Sequence, residues 1–242
     1  MPRNNSKDPP TRKARHVKSE NDTSEHAAAA PRYTGDPIFF WKETGENGFL
    51  CQWYKCTPKF TDPEHAGLAF NSAEQYMMFR KAMVSKHYPI DLRSPHFADD
   101  PTQLFNDTTT AAKIMAEKTP RKQKQLGKEV EDYDDDKWIE ARSAIVQRGN
   151  WLKFSRCDNT PSMKIGVEGD PVPLKDLLLA TRDEQELAEA SPFDGVWGIG
   201  FKAEEAQGKR SQWGENLLGK ALMHVRSELR REQEGSTATS DA

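Results

Sequence analysis

The sequence predicts a predominantly α-helical, multihelical single domain with a few short β-strands. Three observations predict it. Apolar residues recur at helical spacing in several stretches, most clearly at Leu217, Leu218, Ala221, Leu222, Val225 and Leu229. Capping signatures precede three helices. Stretches suited to strands are short and few.

Taken in chain order, residues 1–32 are rich in Lys, Arg, Asn, Asp and Pro and read as a disordered basic and polar arm. Such a segment buries too little apolar surface to offset its ordering entropy. Ile38 to Trp41 and Phe49 to Tyr54 read as two short strands or as a packed loop, with turn signals at Gly45 and Gly48. Ser72, with Gln75 three positions on, marks the start of a helix to about Lys86. A looser stretch from His87 to Asn106 carries Pro89, Pro95 and Pro101, and a helical pattern resumes over Thr108 to Glu117. Thr119 as cap with Pro120 at the first helical position opens another helix, whose Arg121, Lys122, Lys124 and Lys128 read as a solvated face.

Asp134, Asp135 and Asp136 suit the positive end of the next helix, which carries Trp138, Ile139, Arg142, Ile145 and Val146. It continues or bends at Gly149 toward Leu152 and Phe154. Leu174 to Leu187 reads as helical, and Glu189 to Phe201 as a glycine-rich pocket segment opening on a short strand. The last helix spans about Asn216 to Arg231, and residues 232–242 read as a disordered tail. One domain, residues 33–231, remains; it is of ordinary single-domain size, long enough for a substantial core.

Composition narrows the function. The net charge is −3 with 30% charged residues of both signs, which does not indicate a nucleic-acid surface. Arg12 to Lys18 is a local basic run, either a solvated tail or a nuclear address or nucleic-acid arm. The three cysteines (Cys51, Cys56, Cys157) are odd in number and irregular in spacing, which argues against a disulfide framework and suits a reducing compartment. Their spacing does not suit a zinc knuckle, and no structural metal is expected. With no signal-peptide core and no membrane-length apolar run, the expectation is a soluble, intracellular and cytoplasmic protein with no membrane contact.

The chemistry concentrates in Ser191 to Phe201, where Asp194 sits among Phe193, Trp197 and the glycines Gly195, Gly198 and Gly200. Glycine permits close backbone approach to a ligand, and aromatic rings offer flat surfaces to a planar group. The segment reads as the floor of a pocket for a small flat molecule. Trp213 to Asn216 and Asn71 to Tyr76 repeat the mixture of acid, amide and ring. Each residue also has a plainer reading. Glu74 in a first helical turn complements the helix dipole. Asp194 before Gly195 suits a turn. Trp138, Trp197 and Trp213 suit a core, and Lys81 and Lys153 lie beside apolar residues that a lysine stem covers. No catalytic serine triad, phosphate-binding loop or dinucleotide fingerprint is present. Two acids with an aromatic platform fit cleavage of a glycosidic bond, one carboxylate stabilising an oxocarbenium-like transition state or activating water while the other assists the leaving group.

The ordered set of Phe49 to Tyr54, Asn71 to Met78, Lys81-Ala82, Trp138 with Arg142, Lys153-Phe154, Leu178 to Thr181, Glu189 with Ser191 to Asp194, Trp197 to Gly200 and Trp213 to Gly219 resembles the NADAR superfamily, the YbiA-like riboflavin-biosynthesis-intermediate N-glycosidases. The resemblance spans roughly Ile38 to Leu229. It implies a YbiA-like, mostly helical fold and cofactor-independent, metal-free hydrolysis of the bond between C1 of a ribosyl group and a base-like nitrogen. Family members act on phosphorylated early intermediates of riboflavin synthesis or remove ADP-ribose from modified guanine in nucleic acid. The second activity, and a silent ADP-ribose-binding module, are the alternatives here. By motif, the catalytic positions map onto Glu74, Trp138 and Asp194. Gln52, Trp53, Lys81, Lys153, Glu189, Trp197, Gly198, Trp213, Asn216 and Arg226 map onto substrate binding, with Lys81, Lys153 and Arg226 as phosphate or diphosphate contacts. Cys51 stands where a serine is usual in the aromatic motif, and a thiol is the poorer hydrogen-bond donor. The stretch from Lys86 to Thr108 is longer than in compact bacterial members.

Overall fold

A computed structural model of the chain describes residues 35–65, 67–84, 109–131, 133–157 and 172–240. The expected N-terminal arm and the proline-bearing stretch from His87 to Asn106 lie outside the described residues. In chain order the elements are β1 (Ile38–Phe40), β2 (Phe60–Thr61), β3 (Ala69–Phe70), α1 (Ala73–Met83), α2 (Thr110–Ala116), α3 (Pro120–Leu126), α4 (Asp135–Arg156), α5 (Leu174–Leu179), β4 (Leu187–Glu189), α6 (Ala203–Ala206) and α7 (Leu217–Ser240). Among the described residues helices dominate and no strand exceeds three residues, so the domain is predominantly α as expected.

Helix α1 is the central element. Ser72 Oγ accepts the Gln75 N–H at 3.1 Å, and Gln75 Oε1 reaches back to the Asn71 N–H at 2.7 Å. The reciprocal cap therefore closes one residue earlier than in the usual pattern. From Ala73 to Met83 only Lys81 is not fully buried, which marks a helix enclosed by the core on all sides. Helix α4 packs against both α1 and α7. It runs straight through Gly149, because Tyr76 of α1 rests there: an added Cβ would stand 2.6 Å from Tyr76 Cδ1.

Of the two readings open for residues 49–54, the packed loop is the one found: a 3-10 turn at Gly48–Leu50 leads into further turns. Three elements differ from expectation. The helix expected from Leu174 to Leu187 stops at Leu179, and Leu187 instead opens β4, which pairs in parallel with β1 (Ile38 opposite Leu187, Phe40 opposite Glu189). The intervening turn is held by Arg226, which donates to the Asp183 and Gln185 carbonyls at 3.2 and 3.1 Å and so replaces helical partners. The β2–β3 hairpin, with Phe60 opposite Phe70, was not anticipated. Helix α7 continues past Arg231 to Ser240, where a disordered tail is expected. Trp151 Nε1 donates to Glu232 Oε1 at 3.1 Å, and extending a helix already fixed by packing costs little.

The cysteines are buried and not disulfide-bonded. Among the described residues no helix is long and apolar enough to cross a membrane.

Candidate active site

A cleft of about 580 Å³ draws its walls from α1, α3, α4, the end of β4 and the loop that follows it. Glu74 enters from the first turn of α1. Its backbone N–H donates to the Gln52 carbonyl at 3.0 Å, which seats the 48–53 loop on the start of the helix. The carboxylate is 4% exposed, shares a hydrogen bond with Trp53, and has one oxygen, Oε1, with no partner among the described residues. Burial pushes its pKa up to about 7, against the pull of Lys124, the Trp53 bond and Lys81.

Glu189, the last residue of β4, places a second carboxylate in the cleft. Its Oε2 is sheltered and unpartnered among the described residues. Burial first, then the charges of Asp194 and Glu74, push its pKa up to about 8, with Lys124 opposing. Asp194 answers to both of its sequence readings. Oδ1 caps the loop by accepting the Val196 and Trp197 N–H groups at 3.0 and 2.8 Å, while the residue also lines the cleft. Gly198 is required by close approach: a Cβ there would lie 2.6 Å from the Glu189 carbonyl oxygen and 3.0 Å from that of Asp194.

The rings surround these acids. Trp138, near the start of α4, is buried and lines the cleft with Trp53 and Trp197. Lys81 Nζ lies 4.4 Å from the Tyr133 ring centre and 5.8 Å from that of Trp138, and burial lowers its pKa. Gln52 is fixed from behind, accepting from Asn150 Nδ2 at 2.9 Å. Glu74, Trp138 and Asp194 thus share one cleft with Gln52, Trp53, Lys81, Glu189 and Trp197.

Lys153, Arg226, Trp213 and Asn216 do not line it. Lys153 is fully buried and donates to the Phe49 and Cys51 carbonyls at 2.6 and 3.0 Å, so it holds the 48–53 loop from below. Burial pulls its pKa down to about 8. Arg226 braces the turn before β4, with Asp183 Oδ1 at 3.3 Å from its Nε. Trp213 Nε1 donates to the Ala206 carbonyl at 2.8 Å. Asn216 takes the left-handed conformation (φ 51°) and pairs along β4: Oδ1 accepts the Glu189 N–H at 3.2 Å and Nδ2 donates to the Leu187 carbonyl at 2.9 Å. It positions Glu189 from the backbone.

The sequence reading missed Arg121, Lys124 and Lys128. Expected as a solvated face, they line the cleft. Arg121 and Lys124, three apart, share one side of α3, which was the available signal, and Lys128 follows in the turn after the helix. Lys122, between them, is the solvated one, 70% exposed and 4.0 Å from Glu117. Trp41 was also missed as a lining residue; its ring lies 6.2 Å from that of Phe193, which belongs to the expected pocket floor and is 87% exposed.

A multihelical domain with a carboxylate cluster set among tryptophans is the class that fold and site define. The chain matches the NADAR domain over residues 39–230 and belongs to that family. It is similar to N-glycosidase R617 of Acanthamoeba polyphaga mimivirus, 36% identical over 159 residues, covering 65% of this chain and 73% of the relative. It is 28% identical over 180 residues to Protein irg-1 of Caenorhabditis elegans, covering 73% and 68%. It is 25% identical over 193 residues to Riboflavin biosynthesis protein VVA0006 of Vibrio vulnificus, covering 80% of this chain and 38% of that protein. The NMR structure of the E. coli protein YbiA aligns with a TM-score of 0.49 at 16% identity, covering 86% of this chain and 93% of that one.

Proposed function

We propose that the chain is an N-glycosidase that hydrolyses the bond between C1 of a ribosyl group and a heterocycle nitrogen, with an early riboflavin-pathway intermediate as substrate. The observation that carries this reading is Glu74: a buried carboxyl with a vacant oxygen and a pKa near 7, opening into a cleft walled by tryptophans. The names of the mimivirus and Vibrio relatives point the same way.

In the reaction the C1–N bond breaks, its electron pair leaves with the heterocycle, and the nitrogen takes up a proton. Water adds to C1 and loses one. Glu74 and Asp194 divide the stabilisation of the ribosyl cation and the activation of water. Glu189, with its pKa near 8, holds a proton at neutral pH and donates a hydrogen bond to the substrate. Trp138 stacks on the heterocycle.

The test is a chromatographic assay of the purified protein and of Glu74→Gln, against the ribosylaminopyrimidine phosphate and against DNA carrying ADP-ribosylated guanosine. The expected result is release of ribose 5-phosphate by the wild type and loss of at least 100-fold in turnover for Glu74→Gln, with an unchanged circular dichroism spectrum. Undiminished turnover by Glu74→Gln would remove that residue from the mechanism. Release of ADP-ribose from the DNA alone would keep the bond class and replace the substrate. Binding without product would make the domain a recognition module.

A further inference from the structure

We propose that Arg121, Lys124 and Lys128, together with Lys81, form a phosphate subsite that takes the phosphomonoester of the substrate. This subsite takes the ribosyl part of its ligand from the N-glycosidase reading; its anion preference comes from the cations themselves.

All four cations line the cleft. The side chains of Arg121, Lys124 and Lys128 make no ion pair or hydrogen bond among the described residues, whereas that of Lys122 lies beside Glu117. Like charges gathered in one recess repel each other, and an anion between them relieves that repulsion. A guanidinium with several ammonium groups matches a phosphate in both charge and donor geometry. Four carboxyl groups, Glu43, Glu74, Glu189 and Asp194, share the cleft with these cations and with Lys42, and burial keeps two of the four, Glu74 and Glu189, partly protonated, so the cations are not fully offset. A terminal monoester, with two negative charges, draws more from clustered cations than a phosphodiester, with one.

The basic face is also locked to the carboxylates. Gln123, between the cations in sequence and fully buried, donates to Asn71 Oδ1 at 3.2 Å and to the Glu117 carbonyl at 2.8 Å. Its Oε1 accepts from Ser72 Oγ at 3.3 Å. Ser72 is the cap of α1, two residues before Glu74. A phosphate on α3 is therefore held in a constant register with the Glu74 carboxyl, which is what positioning a ribose C1 requires. Lys124 lines the same cleft as Glu74 and Glu189, and its charge favours the ionised form of both.

The experiment is calorimetric titration of the full chain, and of Lys124→Gln and Arg121→Gln, with ribose 5-phosphate and with ribose. A 12-nucleotide single strand serves as competitor. The expected result is binding of ribose 5-phosphate about 10-fold or more tighter than ribose, weakening about 10-fold in each variant and with added salt. Equal binding of the two sugars, or full affinity in both variants, would overturn the subsite. Displacement of ribose 5-phosphate by the oligonucleotide at lower concentration would overturn it in favour of a nucleic-acid backbone. The readout needs no turnover. Hydrolysis without a phosphate preference removes the subsite alone. A phosphate preference that both variants lose, without hydrolysis of any ribosyl heterocycle, supports the subsite while removing the proposed reaction.

Discussion

Glu74 is more costly to the fold than an ordinary surface acid. Its pKa rises from 4.5 to about 7, so the folded chain holds a proton that the unfolded chain releases between those values. The stabilisation from that proton is complete below about pH 4.5 and is lost as the pH rises through 7. Glu74→Gln, which needs no proton, is expected to be the more stable protein at pH 8 by about 1–3 kcal/mol, and the gap is expected to close toward pH 4.5. Urea unfolding of both proteins at the two pH values checks this, and a constant gap would mean that the carboxyl is not strained by burial. Lys124 is the strongest influence holding that pKa down. Lys124→Gln is accordingly expected to move the limb of the pH–rate profile near 7 to higher pH, as read from kcat/KM. At this scale the sequence groups acids and rings that the fold brings to one cleft, because Glu74, Trp138 and Asp194 lie in recognisable motifs. It distinguishes long cations poorly. Lys153 and Arg226 satisfy carbonyls contributed by remote segments, and no neighbour in sequence signals that.

Among the elements, α1 is legible because its cap is local: Ser72 and Gln75 lie three residues apart. The end of α5 is not, because Arg226 comes from another helix and outbids the helical pattern after Leu179. The α3 cations illustrate a middle case. Their helix is signalled by Thr119 and Pro120, but which side faces solvent is decided by Gln123 docking on Ser72. Helix α4 meets α1 at Gly149, where a methyl group would press on Tyr76. Gly149→Ala is expected to destabilise the domain by about 1–3 kcal/mol through overpacking, despite the better helix propensity of alanine. Chemical denaturation measures it, and a stabilised variant would show that Tyr76 can turn aside at little cost.

Across the whole molecule, the cleft depends on supports that never touch it. Arg226 fixes the turn that delivers β4, and Asn216 fixes Glu189 on that strand. Arg226→Ala is expected to lower stability by about 3 kcal/mol, by leaving the Asp183 and Gln185 carbonyls without their donor and the Asp183 carboxylate with Arg230 alone. Its KM for a phosphorylated substrate is expected to stay within about twofold of wild type at temperatures where the variant is folded. A large rise in KM with little loss of stability would return Arg226 to the substrate. The β1–β4 pairing sets a further condition, on the order of events during folding. Ile38 and Leu187 are roughly 150 residues apart in the chain, so their ladder closes one of the longest loops available to it. During synthesis Glu74 and its helix leave the ribosome well before Glu189, and the two acids repel each other as ionised groups. The acid cluster is thus completed late, after α1 to α5 have been made, and it is fixed later still, when Asn216 and Arg226 arrive to hold the strand that carries Glu189.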